Sequence, residues 1–455
     1  MELQEIYRIK KGQVISENIT IPFFFGIVYS DDGFIRLDLY VNEEYDLKAL
    51  TNDSSREYWQ SNYNLTCITE ENNILIIDNL RFSQNNPHLS RIKMVSYGKM
   101  EHIKDKKKGF EESDFKPLIK YLVLEGLKIE FSDFTEEIRE RGGQKIEDFN
   151  NLKRDHSTTN LVHKRFPYSQ TYYKLSEDSD DIIVEFTEEN SNRLTYELFL
   201  EIKHSYISAL SFINGAEVRI RKECYGSYYT IGKIDAEKVV TYSFKKIDNR
   251  RYNSYIPIND PFHRGENVLG KFLMFNFDKF IKWCEKIDIK SIIFYLNNSE
   301  QTKSLEEKVF IQIIAFERLT TMYVEFLGDK EEFLPNKTDY NPIKKELNKI
   351  IDLNKDKFGN AYNTVKSKIG NLNQIKRHST TDKMYRIIND FNIPITPKIE
   401  KLIDVVRHKT VHRGDIGEGQ EGITTFYLLD ELIREIILRM VEYKGKRKSR
   451  ILLNE

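Results

Sequence analysis

The run Arg407-His408-Lys409-Thr410-Val411-His412-Arg413-Gly414 sets a guanidinium five residues ahead of an imidazole. Arginine keeps its charge at every physiological pH and meets a phosphate with two parallel hydrogen bonds, while histidine is the side-chain type that exchanges protons near neutrality. Those are the two groups that metal-free cleavage of an RNA phosphodiester needs. The ribose 2′-hydroxyl attacks the adjacent phosphorus, a histidine moves the proton, and an arginine takes up charge on the phosphate oxygens. This chemistry assigns proton transfer to His412 and phosphate stabilisation to Arg407. His408 then orients the pair or bonds the substrate, and Lys409 and Arg413 are further substrate-binding cations. None of the other histidines has an arginine five positions before it.

A single regular helix does not bring the pair to one face. Five residues correspond to about 140° of rotation and about 7.5 Å of rise, so Arg407 and His412 diverge. His408 and His412, four apart, differ by about 40° and share a face. A histidine pair at that spacing also suits a metal, but no His-Glu-x-x-His pattern and no third ligand accompany it, so neither metal nor cofactor is expected. A purely structural reading, a polar helix end closed by Arg413-Gly414, stands beside the catalytic one. Arg81 and His88 repeat the loose spacing, but the stretch between them is turn-like and they are set aside.

The elements around the run read as helices. Leu305, Val309, Ile313, Phe316 and Tyr323 form one apolar line, widened by Phe310, Ile314 and Phe326, which predicts a largely buried helix. Asn341-Pro342 is a cap and first-turn pair for a helix carrying Leu347, Ile350 and Ile351. Asp382 to Phe391 reads as a shorter helix stopped before Pro394. Thr396-Pro397 opens the helix that runs through Ile399, Leu402, Ile403 and Val406 into the Arg/His run. Gly414, Gly417, Gly419 and Gly422 predict a flexible loop, Ile423 to Tyr443 a last helix, and Lys444 to Arg450 a basic tail.

Upstream the pattern is β-rich. Phe23 to Tyr29 and Phe34 to Val41 flank Ser30-Asp31-Asp32-Gly33, a hairpin pattern, and Leu65 to Thr69 with Ile74 to Ile77 gives a second. Ile119 to Phe131 adds strand material broken at Gly126. From about 170 to 300 the reading is mixed. Strands are expected at Ile182 to Phe186, Glu217 to Arg221 and Val239 to Phe244, and helices at Leu194 to Phe212 and Phe272 to Cys284. Three segments follow: a β-rich domain over 1–165, a mixed α/β part over 166–300 and a helical domain over 301–455. The fold class expected is α+β and multidomain, with the β-rich region first and an all-α bundle last.

Composition narrows the class further. At 455 residues, two or three domains are the expectation, and 40% hydrophobic with 12% aromatic residues is ample for packed cores. No uninterrupted apolar run approaches the roughly 20 residues of a membrane span, and Met1 to Gln13 lacks a secretory apolar stretch. Three dispersed cysteines favour neither a disulfide framework nor a zinc site, so a reducing, cytoplasmic setting without membrane partners is expected. The formal net charge is −1, yet residues 336–455 carry an excess of Lys and Arg while the rest is acidic. Local binding of a polyanion is compatible with that balance, and so is an ordinary solvated helix surface. The N-terminal half offers no Ser/His/Asp arrangement, phosphate-binding glycine loop or metal cluster, and Lys104, Lys106, Lys107 and Lys108 read as a solvated loop.

The string from Arg407 to Gly414 resembles the HEPN superfamily of helical-bundle ribonucleases, whose motif is Arg, four to six residues, then His. It looks most like the Apea-like branch, in which a long β-rich region precedes the helical nuclease. His408 stands at the second position of the motif, where Asn is the more usual residue. The resemblance implies a homodimer in which Arg and His of two chains line one cleft, which removes the need for one helix to converge on itself. It further implies metal-independent endoribonuclease activity leaving a 2′,3′-cyclic phosphate, with RNA, tRNA included, as substrate. Bacterial antiviral defence by abortive infection follows from the same likeness. So does an N-terminal region that senses or restrains, with a viral protein as its trigger. Glu317 falls where many members carry an acidic residue, and it is expected to support the motif and to belong to the substrate-binding set with Lys409 and Arg413. The alternative is a non-catalytic HEPN-type module that binds RNA, a nucleotide or another protein.

Overall fold

The computed structural model describes residues 7–16, 20–31, 33–41, 62–83, 91–105, 118–127, 156–159, 168–174, 181–188, 196–229, 233–245, 255, 268–328, 337–370, 378–417 and 419–452. It is mixed α+β, with a β-rich N-terminal region and a helical C-terminal region. The chain divides into two compact units. One comprises Met1–Tyr252 with Ile258–Phe275, and the other Asn253–Pro257 with Asn276–Glu455.

Six strands of the first unit close on themselves. β1 (Tyr7–Ile15), β3 (Phe25–Asp31), β4 (Phe34–Tyr40), β7 (Arg91–Ser96), β6 (Ile74–Phe82) and β5 (Tyr63–Thr69) pair antiparallel in that order, and β5 returns to β1. A short β2 (Thr20–Phe23) pairs with β1 alongside. Both expected hairpins are present, as β3–β4 and β5–β6. The alternation in Tyr63-Asn64-Leu65-Thr66-Cys67-Ile68 sends Tyr63, Leu65 and Cys67 inward and their neighbours outward. With Ile9, Val14, Val28, Leu37, Leu39, Leu75, Ile77 and Met94 they fill the barrel, as side chains must in one this narrow. Gly12 is required by closeness: a Cβ there would lie 2.6 Å from the Phe23 ring. Burial pushes the Cys67 thiol up to about 12, which leaves it an inert core residue.

One strand passes from the barrel into an open sheet. β7 pairs with Leu80 to Phe82 of β6, and its continuation β8 (Lys99–Asp105) pairs with Ile74 to Ile77 of the same strand. The corner between them is Tyr97-Gly98, against Asn79 at φ +51°. Asp78 Oδ1 accepts the Lys99 N–H at 2.5 Å, and a Cβ on Gly98 would collide with that oxygen. Beyond the corner the order is β8, β14 (Lys233–Tyr242), β13 (Arg219–Tyr229), β9 (Leu118–Glu125), β12 (Ile182–Glu188), β11 (Tyr168–Lys174) and β10 (His156–Thr159). Because β9 is hydrogen-bonded to both β12 and β13, the sheet runs across the expected division at 165/166. Lys104 lies in β8, while Lys106 to Lys108 and His88 lie outside the described residues.

Helix α1 (Tyr196–Asn214) packs on β9 and β13 and ends at Gly215, whose φ of +68° suits a residue without a Cβ. Its Lys203 pairs with the buried Glu223, which also accepts the Tyr225 hydroxyl at 2.5 Å and the Tyr242 hydroxyl at 3.0 Å. Satisfying every oxygen of a buried carboxylate in this way fixes the helix on the sheet. Helix α2 (Val268–Phe275) closes the first unit, its Phe272 ring lying 6.4 Å from that of Phe212.

The helical unit begins at 276, ahead of the expected boundary at 301. The predicted helix from Phe272 to Cys284 is divided at Asn276, which precedes α3 (Phe277–Lys286) and directs its side-chain amide to the Val441 carbonyl at 2.9 Å instead of to a capping bond. A helix that the sequence pattern does not single out follows as α4 (Ile289–Gln301), its N-terminus held by the Asp288 side chain. Ser304 caps α5 (Leu305–Phe326), the central helix. Val309, Ile313, Phe316 and Tyr323 of the expected line are buried and Leu305 is half-buried, Leu319 joins the buried face, and Phe310 and Phe326 are exposed. The predicted line is therefore the core face, and the widening residues partly lie outside it. Helix α6 (Lys337–Leu353) begins before Asn341-Pro342 and carries the proline inside it. The capping reading misses because the turn ahead of the proline is itself helical. Helix α7 (Tyr362–Gly370) packs against α6.

Helix α8 (Thr380–Asp390) opens with a reciprocal Ser379–Asp382 capping box. Thr396 and Pro397 start α9 (Pro397–Lys401) as expected, but a π-turn over Leu402–Val406 separates it from α10 (Arg407–Arg413). The last helix is α11 (Gln420–Met440), which takes in Gly422. The expected basic tail is folded back: Glu431 accepts the Ser449 hydroxyl and the backbone N–H groups of Arg450, Ile451 and Leu452. Glu435 accepts Nε of Arg439 and of Arg447, each at 2.7 Å.

Candidate functional site

Arg407 is the first residue after the π-turn, and its own N–H reaches back five residues to the Leu402 carbonyl. Widened turns of this kind recur at functional sites because they re-aim the side chains that follow. The inner face of this stretch is apolar: Ile399, Leu402, Ile403 and Val406 are buried against the unit. Thr410 continues that face and is held at both ends of its hydroxyl's reach. It donates to the Val406 carbonyl at 2.9 Å and lies 3.1 Å from the Asp415 carbonyl. Gly414, at φ +68°, donates its N–H to the Thr410 carbonyl and ends the helix. The motif is thus clamped between a π-turn before it and a left-handed glycine after it.

Arg407 lies beside this inner face and is partly buried, with 22% of its side chain exposed. Its Nε donates to Oε1 of Glu317 on α5 at 2.5 Å. This bond uses one edge of the guanidinium. Among the described residues no bond reaches its two terminal amino groups. Glu317, 30% exposed, sits just off the buried line of α5 and is the acidic residue the structure brings to Arg407.

His408 and His412 occupy the outer face. Both are exposed, and their rings lie 4.5 Å apart between centroids at an interplanar angle of 52°. Lys409 and Arg413 are exposed on the same short helix. Lys409 contributes to holding the Glu421 carboxyl below the usual carboxylate range, behind the larger effect of Lys401, which is bonded to it at 2.7 Å. The structure therefore joins Arg407 with Glu317, and His408 with His412. Arg407 and His412 stand five residues apart on this helix, which sets their positions about 140° apart around its axis.

Sequence reasoning missed a buried polar network in the same unit. Asp430 and Arg434 of α11 are both 1% exposed at the side chain and bonded at 2.9 Å, with Glu300, Lys308 and Gln312 buried nearby. Lys308 Nζ lies 3.6 Å from the Glu300 carboxylate and donates to the Glu300 carbonyl at 3.2 Å. Gln312 donates to the Ser299 hydroxyl at 3.3 Å. Burial pushes the Asp430 carboxyl up to about 6; Arg434 opposes the shift and Glu300 adds to it. The spacing of Asp430, Glu431, Arg434 and Glu435 at i and i+4 inside an apolar helix was legible, since charges so placed have to be paired internally. No group of three or more His, Cys, Asp or Glu suited to a metal occurs among the described residues, and no described helix is long and apolar enough to cross a membrane. Comparison of the chain with protein-family models, curated proteins and solved structures finds no match.

Proposed function

We propose that the chain is a metal-independent endoribonuclease of the HEPN superfamily, Apea-like branch. In this reading it works in the bacterial cytoplasm as a homodimer formed through the helical unit. It cleaves RNA, tRNA included, to arrest an infected cell, and the β-rich region senses the trigger or restrains the nuclease. The observation that carries the reading is the state of Arg407: Glu317 orients it through Nε while its terminal amino groups stay available to a phosphate. Exposed His412, beside His408, supplies the proton-transfer group.

The step balances without a co-reactant. The 2′-oxygen bonds to phosphorus as the bond from phosphorus to the 5′-oxygen breaks. The 2′-hydroxyl proton leaves to an imidazole, and a proton is delivered to the departing 5′-oxygen. Arg407 bonds the phosphate oxygens that gain charge, and a 2′,3′-cyclic phosphate and a 5′-hydroxyl result. Two chains related by a twofold axis supply Arg407 and His412 to one cleft, since a closed symmetric dimer presents the same surface twice.

A second reading has one observation in its favour. Arg407 and His412 sit about 140° apart around one helix, which suits a helical module that binds RNA or a nucleotide without chemistry. Incubating RNA with the purified chain in EDTA separates the two. Nuclease action yields fragments with cyclic phosphate ends, whereas intact RNA recovered from a tight complex rejects catalysis in favour of binding.

A further inference from the structure

We infer that His408 and His412 form an exchangeable two-histidine site for a divalent late first-row metal ion of the zinc or nickel class. The two imidazoles are exposed, one helical turn apart, with ring centroids 4.5 Å from each other. Two histidines sharing one zinc at about 2.0–2.1 Å and a tetrahedral angle hold their nitrogen atoms about 3.3 Å apart. Rings with centroids this close come within that separation by rotation about their side-chain bonds. The helix supplies the rest, because α10 is clamped by the buried Thr410 and by Gly414, so the two ligand positions are held in place before metal arrives.

The surroundings decide what kind of site this is. Among the described residues no third His, Cys, Asp or Glu joins the pair, so water completes the coordination shell. Sites with two protein ligands and open positions exchange their metal, unlike closed four-ligand sites that hold a fold together. Arg407, the partly buried cation on this helix, is matched by Glu317. Lys409 and Arg413 are exposed, so solvent screens them from an incoming ion. A bound metal uses the nitrogen lone pairs that proton transfer requires. On the nuclease reading, occupancy of this site therefore switches cleavage off, and removal of the metal restores it.

Calorimetric titration of the full-length chain with zinc ion alone tests the site without reference to activity. The parent is expected to bind one zinc more than the His408→Ala/His412→Ala double variant. Each single variant is expected to weaken that binding by at least about tenfold, the lower bound for losing even an outer partner of a ligand. Circular dichroism melts check that these surface changes leave the fold intact. Equal zinc stoichiometry and affinity in parent and double variant overturns the site. In the second arm, RNA cleavage by the metal-free chain is expected to fall as the calorimetric site fills and to return with EDTA. Cleavage indifferent to saturating zinc overturns the inhibitory role. A chain that never cleaves RNA defeats the nuclease reading, and the zinc stoichiometry still decides whether the site exists.

Discussion

At the scale of single residues, the proposed chemistry depends on how Arg407 is held. An exposed arginine keeps many rotamers and gives up entropy when it meets a phosphate, whereas Glu317 fixes this one through Nε at 2.5 Å. Glu317 is a positioning residue, so Glu317→Ala is expected to lower cleavage by about 10²-fold, the usual cost of an ångström-scale misplacement. Both partners are partly exposed, so the same change costs less than about 1 kcal/mol of stability. Unaltered single-turnover rates in Glu317→Ala would show that the bond has no role in positioning. Asp430 makes a second residue-scale prediction. Its folded-state value of about 6 stands above the ordinary 3.8, so the fold binds a proton that the unfolded chain releases between those values. Its contribution to stability is therefore fully present below about pH 4 and is lost as pH rises through about 6. Denaturant titrations across that window should show the decline in the parent and a correspondingly flatter profile in Asp430→Asn.

At the scale of elements, α11 organises the helical unit. Its apolar residues build the core, while Glu431 and Glu435 fasten the C-terminal segment to it. Glu431→Ala leaves three backbone N–H groups and a hydroxyl without their acceptor, and is expected to cost about 2–4 kcal/mol. Trypsin should then cut the released stretch from Lys444 to Arg450 faster than in the parent; an unchanged digestion pattern would argue that other contacts hold it. The hairpin strands and the Thr396-Pro397 helix start were legible because their causes are local. Alternation in Leu65 to Thr69 and Thr396 ahead of Pro397 each specify an element without help from elsewhere, whereas the capping box of Ser379 and Asp382 went unread and Asn341-Pro342 proved to lie inside its helix. The π-turn was not legible, since Leu402 to Val406 reads as ordinary helix and only the packing of its apolar face selects the wider turn. Nor was the fold-back of the tail. A stretch rich in lysine and arginine has the pattern of a solvated segment, yet it meets buried carboxylates that lie 12 to 21 residues before it in α11.

At the scale of the whole molecule, each unit has its own logic. The barrel closes through the return of β5 to β1, a pairing between distant segments that no local pattern announces, and β9 joins segments that composition separates. In the helical unit, Arg407 and Glu317 were both named from sequence and meet, while Arg407 and His412 are five residues apart on one helix, about 140° around its axis, so the proposed nuclease calls for a second copy to complete the pair. Mixing an Arg407→Ala chain with a His412→Ala chain should then restore cleavage that neither has alone, because the cleft of the mixed dimer regains one intact Arg407 and His412 pair. No recovery on mixing, in preparations shown to exchange subunits, would mean each chain works by itself. The most direct test of the central claim is the rate of RNA cleavage in EDTA by the parent, Arg407→Ala and His412→Ala. Each substitution should reduce it by about 10²–10⁴-fold with the melting temperature unchanged. Parental rates in both variants would contradict the claim.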